Sequence, residues 1–161
     1  MYLAGEFGNK PGDVNAFAAS TFYAVDRYAS FKQDWGKFYN DGGIITAGRY
    51  VTSNAVHQWS KMPKEEWENF LAWLYDFEYV KMGIPKPDAV IYLDMPIEVS
   101  QKLMTGRYNG DESKKDIHER DKDYLLHCHK AADFAINQYG WDKIECYDNG
   151  KKRSGRRRWL V

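Results

Sequence analysis

The hydrophobic and polar positions of this chain alternate between long stretches of helical spacing and short apolar runs. In the long stretches, apolar residues recur every three or four positions, as they do in a helix that buries one face. These predicted helices cover residues 14–38, 64–83, 97–104 and 116–139. Three short apolar runs predict buried parallel strands, near residues 43–48, 89–94 and 142–148. Helices that alternate with such strands indicate an α/β fold built on a parallel sheet.

Composition narrows the possible functions. Of the 161 residues, 23 are acidic and 23 are basic, so no net charge favours nucleic acid or an anionic membrane as a partner. No apolar run approaches the ~20 residues of a membrane span, and the first residues do not have the pattern of a secretory leader. Cys128 and Cys146 have neither metal-ligand nor disulfide spacing, which predicts a reducing, cytoplasmic location.

Length and charge distribution predict one domain followed by a short tail. A chain of this size can bury a substantial core as a single domain. We assign the domain to residues 1–150 and a basic tail to residues 151–161. The tail is most simply a solvated terminus, with contact to phosphate or nucleic acid as the alternative. The polar stretch 105–115 has the composition of a mobile lid.

The segment from Gly42 to Gln58 carries the strongest local signal for a binding site. Its predicted strand ends at Arg49 and is followed directly by a polar helix start. In α/β folds, ligands bind at the carboxyl ends of strands and at helix N-termini. The guanidinium of Arg49 suits bidentate binding of phosphate, and Asn54 offers a donor and an acceptor to the edge of a base. A surface arginine beside a helix cap explains the same residues equally well.

Two further groupings could carry chemistry. Tyr23 and Arg27 lie four positions apart and share a helix face, where the ring could stack on a base and the arginine could donate to its carbonyl. Asp116 and Glu119 open a predicted helix and could gather Mg²⁺ through water. From these residues alone, the ordinary structural roles are favoured: a core tyrosine beside a solvated arginine, and carboxylates that cap a helix.

In order and spacing, these segments resemble the thymidylate kinases from about residue 3 to residue 150. Residues 18–27 are similar to the helix with which that family binds thymine. Gly48-Arg49-Tyr50 and the helix that follows resemble the family's Asp-Arg-Tyr motif. Residues 90–98 resemble its strand and turn Leu-Asp-x-Pro-x-Glu, and residues 107 and 116–119 resemble the start of its lid and the acidic segment behind it.

The resemblance implies a role for each matching side chain. Tyr23 would stack on thymine, Arg27 would bind a thymine carbonyl, and Asn54 would face the pyrimidine edge. His57 stands where the family usually has a tyrosine near the sugar. The other implied contacts, to phosphate groups and to the sugar and metal surroundings, come from Arg49, Ser53, Arg107, Asp116 and Glu119.

The implied reaction is transfer of the γ-phosphoryl group of ATP to dTMP, which gives dTDP. Arg49 would bind the acceptor phosphate and Arg107 the transferring phosphoryl group, so these two are the candidate catalytic residues. Mg²⁺ would accompany ATP, and we predict no metal ion held by protein residues alone. The implied assembly is a homodimer that binds neither membrane nor nucleic acid.

Two departures from the family pattern bear on activity. The 161 residues contain no Gly-x-x-x-x-Gly-Lys-Ser/Thr phosphate loop, and Gly48 stands where the family carries an aspartate. The resemblance therefore implies a truncated chain with an incomplete phosphate-loop-kinase sheet, in which three parallel strands remain around a missing central one. We expect such a chain to be inactive as a kinase. The alternative is a non-catalytic nucleotide-binding remnant that dimerises through its aromatic helix faces.

Overall fold

The predicted α/β class is confirmed by the arrangement of helices and strands. The computed structural model describes residues 6–8, 10–107, 109, 111, 119, 121–148 and 151–152. Within these residues, helices pack around buried apolar side chains and flank a two-stranded parallel sheet. None of the described helices is long and apolar enough to cross a membrane.

The first predicted helix forms, with one irregular turn. α1 (Ala16–Ser30) begins after Asn15, whose side-chain oxygen accepts a hydrogen bond from the backbone N–H of Ala18 at 2.9 Å. It continues through a π-helical turn, Phe31–Trp35, into α2 (Gly36–Asn40). Because a π-helical turn contains one more residue than an α-helical turn, the side chains after it are rotated about the helix axis.

The next two helices form the centre of the chain. α3 (Val51–Trp59) follows the predicted polar start, and a short 3₁₀ turn then leads into α4 (Trp67–Tyr75). α4 is extended by a second π-helical turn, Asp76–Lys81, which ends near the predicted stop at Gly83. The apolar stripe that predicted this helix is buried, with Phe70 and Leu74 almost fully covered.

The second half of the chain contains the sheet. β1 (Ile91–Asp94) is followed by α5 (Ile97–Arg107), and α6 (Lys122–Tyr139) is followed by β2 (Asp142–Glu145). β1 and β2 pair in parallel, with Leu93 opposite Ile144. Two more short strands, β3 (Tyr147–Asp148) and β4 (Lys151–Lys152), pair with each other in antiparallel orientation.

α3 is the element around which the core is organised. It packs against α1, α4 and α6, and its Trp59 is fully buried. The rings of Trp59 and Trp67 stack at a centroid distance of 5.1 Å, and each indole N–H donates to the backbone carbonyl of the other residue at 2.9 and 3.0 Å. Since buried indole N–H groups need a partner, this reciprocal pair fixes the angle at which α4 leaves α3.

The predicted strand at 43–48 is wrong, and the predicted strand at 142–148 is interrupted. Residues 43–47 run without a strand partner among the described residues, and the side chain of Ile44 is 90% exposed. A strand requires a neighbour that accepts its backbone hydrogen bonds, and an apolar run alone does not supply one. At the other end, the backbone leaves the parallel ladder at Cys146 and then forms the separate hairpin of β3 and β4.

One face of the parallel sheet is covered and the other is exposed. Tyr92 packs against a buried cluster that includes the α6 residues Tyr124 and Cys128. On the opposite face, Leu93 is 64% exposed and its partner Ile144 is also exposed. Because parallel sheets are normally covered on both faces, the described part of the chain forms an incomplete sheet, as the resemblance implied.

Candidate functional site

A buried ion pair between α1 and the second π-helical turn is the centre of the candidate site. Arg27 donates from Nε to Glu78 Oε2 at 2.7 Å and from Nη2 to Glu78 Oε1 at 2.6 Å. The Glu78 side chain is fully buried and that of Arg27 is 15% exposed. Two parallel hydrogen bonds between a guanidinium and a carboxylate fix both distance and orientation. Arg27 is therefore a rigid group with a limited accessible surface.

Asn54 reaches the same carboxylate from α3. Its Nδ2 donates to Glu78 Oε1 and to the backbone oxygen of Ser20, each at 3.4 Å. The Asn54 side chain is almost completely buried. Two residues predicted to contact one base, on two different helices, therefore meet at one glutamate.

Glu78 is the site residue that sequence reasoning missed. It follows Leu71 and Leu74 at helical spacing, so it occupies a position that faces the core. A carboxylate at such a position needs a cationic partner to remain buried. That conflict between position and residue type was the signal that could have identified it.

The charges of this ion pair act on the pKa values of two tyrosines, Tyr50 and Tyr79. The hydroxyl of Tyr50 donates to the backbone oxygen of Pro85 at 2.8 Å. Burial, and then the negative charge of Glu78, raise the pKa of Tyr50 to about 12, although Arg27 acts in the opposite direction. Burial, followed by neighbouring tyrosines and Glu78, also raises the pKa of Tyr79. Both hydroxyls therefore stay protonated at neutral pH.

Tyr23, the predicted stacking residue, lies one turn before Arg27 on α1. It is half-buried and packs with Val14 against Ala19. The ring thus borders the start of α1, while Arg27 points to the Glu78 carboxylate. The predicted pairing of an aromatic ring and a guanidinium on one helix remains a prediction.

Arg49 lies in a bend directly before α3 and is exposed. Its φ angle is +83°, a conformation that non-glycine residues rarely adopt and that costs of order 1–3 kcal/mol. Ser53 lies in the first turn of the same helix, and its backbone N–H donates to the Tyr50 oxygen at 3.0 Å. The strand predicted to deliver Arg49 is absent, so the bend and the helix start position it instead.

His57 lies against α6, in a cluster with a tyrosine and a cysteine. Its Nδ1 is 3.1 Å from the hydroxyl of Tyr124 and 3.5 Å from Cys128 Sγ, and its ring stacks on that of Tyr124. Burial raises the pKa of Cys128, although hydrogen bonds from Ser60 and Tyr124 act against it. The thiol therefore remains protonated and is not a nucleophile at neutral pH.

The remaining predicted site residues are only partly visible. Arg107 ends α5, and its backbone alone is described. Asp116 lies outside the described residues. Glu119 is half-buried, and its backbone oxygen accepts a hydrogen bond from Gln101 Nε2 at 3.3 Å. Their proposed contacts with phosphate and sugar stay predictions.

The carboxylate at the end of β1 is already paired with cations. Asp94 accepts from Lys143 Nζ at 2.7 Å and lies 2.8 Å from His129 Nε2. Burial acts to raise the pKa of Asp94, but hydrogen bonds from Lys143 and His129 outweigh it, so the pKa falls below its usual value. Within the described ranges, no group of three His, Cys, Asp or Glu side chains could bind a metal ion.

A cleft of about 600 Å³ opens between the starts of α1 and α6 and is lined in part by Lys61 and Asp121. None of Arg27, Asn54 and Glu78 lines it, so it is separate from the Glu78 cluster. Burial lowers the pKa of Lys61 to about 8, although the nearby Cys128 acts in the opposite direction.

The lowered pKa of Lys61 predicts a pH-dependent stability. The unfolded chain binds a proton at this site up to its ordinary pKa of 10.5, whereas the folded chain releases it near pH 8. The folded state therefore gains stability as pH rises between these values. Urea denaturation at pH 8 and at about pH 9.5 should show this gain for the unaltered chain and not for Lys61→Met. Parallel pH curves for the two proteins would contradict the assignment.

Gln58 is an anomaly in the buried core. It is fully buried, and neither its Nε2 nor its Oε1 has a hydrogen-bond partner among the described residues. An unsatisfied buried polar group costs about 1–3 kcal/mol. We expect Gln58→Met to stabilise the protein by about 1–3 kcal/mol, measured as a higher Tm. Gln101→Met is the matched control, since Gln101 donates a hydrogen bond, and it should give no gain.

Comparison with known proteins identifies relatives of this chain. No family model matches the chain. The chain is 28% identical over 120 residues to the thymidylate kinase of Mycobacterium tuberculosis, a match that covers 74% of this chain and 55% of that protein. It is also 28% identical over 131 residues to probable thymidylate kinase 1 of Saccharolobus solfataricus, which covers 81% of this chain and 63% of that protein. The chain is a relative of the thymidylate kinases.

A third match reinforces the relationship and limits its extent. The probable thymidylate kinase of Pyrobaculum aerophilum is 23% identical over 110 residues, which is 68% of this chain and 53% of that protein. The resemblance to thymidylate kinases that the motifs indicated is thus confirmed across bacteria and archaea. This thymidylate kinase relative nevertheless spans little more than half the length of the curated proteins it matches.

Proposed function

We propose that this chain binds dTMP and corresponds to the nucleoside-monophosphate side of a thymidylate kinase. Thymine would lie against Tyr23, Arg27 and Asn54, and the phosphate would bind Arg49. The observation that carries the proposal is the meeting of Arg27 and Asn54 on Glu78, because two separate helices then present fixed polar groups at one place.

The chemistry of these groups matches a thymine edge. Arg27 is a permanent donor, and thymine offers a carbonyl oxygen at its O4 position. Asn54 uses its Nδ2 toward Glu78 and Ser20, which leaves its Oδ1 as an acceptor for a base N–H. The strained backbone at Arg49 supports the phosphate role, since such conformations concentrate at ligand sites.

Phosphoryl transfer to dTMP would be the activity of a complete kinase of this family. It would use Mg-ATP as donor, with Arg107 beside the transferring group and Ser53, His57, Asp116 and Glu119 around the sugar and phosphates. The 161 residues contain no phosphate-loop motif to bind the ATP phosphates. For this chain we therefore propose binding of the nucleoside monophosphate without turnover.

Isothermal titration calorimetry with dTMP, dCMP and thymidine tests the proposal. Cytosine presents an amino group where thymine presents O4, so the unaltered chain should bind dTMP at least about tenfold more tightly than dCMP. Arg49→Ala should weaken dTMP by roughly tenfold or more, because a charged hydrogen bond is lost, and leave thymidine unchanged. Lys37→Ala, which removes an exposed cation on α2, is the control. Equal affinity for dTMP and dCMP would contradict the proposal.

A further inference from the structure

Glu78 is a charged residue that neither the motifs nor the family resemblance assigned to the site. We infer that Glu78 positions Arg27 and Asn54 for the recognition of thymine, an inference that rests on the proposed binding of dTMP. Glu78 is a positioning residue, because it is fully buried and acts through the two side chains that it orients.

The first step concerns the guanidinium of Arg27. Its Nε and Nη2 are both occupied by Glu78, so the plane of the group is fixed by two hydrogen bonds. The N–H groups of Nη1 take no part in those two bonds, and the side chain keeps 15% of its surface accessible. An arginine without this partner would sample several rotamers and would lose that freedom only on binding a base.

The second step concerns the amide of Asn54. A carboxylate oxygen only accepts hydrogen bonds, so it can be approached only by the NH₂ end of the amide. Glu78 Oε1 and the Ser20 oxygen both accept hydrogen bonds from Asn54 Nδ2. The amide oxygen is therefore directed away from the carboxylate. One anion therefore arranges a donor and an acceptor in a fixed order.

That order distinguishes thymine from cytosine. Thymine presents a carbonyl and an N–H where cytosine presents an amino group and an unprotonated ring nitrogen. If Asn54 were free to turn over, its Nδ2 could donate to the ring nitrogen of cytosine, and a mobile Arg27 could move away from the cytosine amino group, which it cannot accept from. Glu78 therefore affects the ratio of the affinities for thymine and cytosine more than the affinity for the nucleotide as a whole.

The charge on Glu78 is essential to this arrangement. The carboxylate accepts three N–H groups: Arg27 Nε, Arg27 Nη2 and Asn54 Nδ2. A glutamine at this position has one acceptor oxygen and one NH₂ group, and the NH₂ would face another donor. Glu78→Gln therefore preserves the shape of the side chain and removes the alignment.

The test compares Glu78→Gln and Glu78→Asp with Glu68→Gln, which alters an exposed glutamate on α4. Affinities for dTMP, dCMP and deoxyribose 5-phosphate are measured on variants whose fold is verified by circular dichroism. We expect Glu78→Gln to reduce the dTMP preference over dCMP by about tenfold or more. Its affinity for deoxyribose 5-phosphate should stay within about twofold, Glu78→Asp should be intermediate, and Glu68→Gln should match the unaltered chain.

Each outcome separates this inference from the proposed function. An unaltered chain that prefers dTMP, with the preference retained in Glu78→Gln, overturns the role of Glu78 alone. An equal loss for dTMP, dCMP and deoxyribose 5-phosphate also overturns it, because Glu78 would then be purely structural. An unaltered chain without any preference overturns the proposed function, and the inference with it. If Glu78→Gln does not fold, Glu78→Asp decides by the same ratio, since it keeps the charge and moves the carboxylate by one methylene.

Discussion

We expect the 161-residue chain to form no dTDP above background when it is mixed with dTMP and Mg-ATP. Phosphoryl transfer depends on groups that position ATP and stabilise the charge of its phosphates. The sequence has no phosphate-loop motif, so it lacks that cradle of backbone amides and the lysine that accompanies it. Loss of one preorganised group slows a reaction about 10²–10³-fold, and loss of the whole donor site should slow it further. A coupled assay of ADP release measures the rate.

The substitution Gly48→Asp allows the expected activities of a series of variants to be ranked. A Cβ atom added at Gly48 meets no neighbouring atom within 4 Å, so the aspartate has room. The substitution alone should rescue nothing, since ATP still lacks its site. A chimera that adds the strand and phosphate loop of a curated relative should turn over dTMP, and Gly48→Asp in that chimera should raise the rate. Turnover by the unmodified chain at about 1–100 s⁻¹, the usual range for kinases, would contradict the prediction.

Arg27→Ala is expected to destabilise the protein by about 3–5 kcal/mol, because it leaves the buried carboxylate of Glu78 without its cation. The double variant Arg27→Met/Glu78→Leu should recover most of that loss. Apolar side chains of similar volume replace a buried ion pair at little cost, whereas removal of one partner strands the other. The double-mutant cycle consists of the unaltered chain, Arg27→Met, Glu78→Leu and the double variant. Urea denaturation of these four proteins, with Arg27→Ala measured beside them, gives the free energy of unfolding and the coupling between the two positions.

The exposed pair of Lys37 and Asp41 provides the comparison for this cycle. Their side chains are 90% and 62% exposed, and the Lys37 Nζ lies 2.6 Å from the Asp41 carboxylate. Asp41→Asn should change the stability by less than about 0.5 kcal/mol, because solvent screens exposed charges. A loss of similar size for Arg27→Ala would show that the Glu78 carboxylate gains access to water or a proton when its partner is removed.

Much of the helical architecture could be predicted from the sequence, because helices form from local contacts. The spacing of Phe70, Leu71 and Leu74 defined the buried face of α4. The run at 44–47 has an equally apolar composition, yet it forms no strand among the described residues. Strand formation depends on a neighbour supplied by another part of the fold, and no local pattern contains that information.

The candidate site could likewise be predicted only in part from the sequence. Arg27 and Asn54 were each singled out by local pattern and given their roles by a resemblance of motifs, but their separation along the chain gave no physical reason to expect a contact. The structure brings them together through Glu78, which lies in a π-helical turn. Periodicity can indicate that position 78 faces inward, but it cannot indicate which cation on a distant helix completes the pair.

The π-helical turn at Asp76–Lys81 affects how this region can be compared between species. Its backbone includes a hydrogen bond from the Met82 N–H to the Phe77 oxygen at 2.9 Å, one residue wider than the α-helical pattern. A homologue with an unbroken α-helix would reach the same end point with one residue fewer. Gap-free alignment would then set Glu78 beside a residue from a different helix face. A search for counterparts of Glu78 in homologues should therefore include glutamates that align one position before or after it.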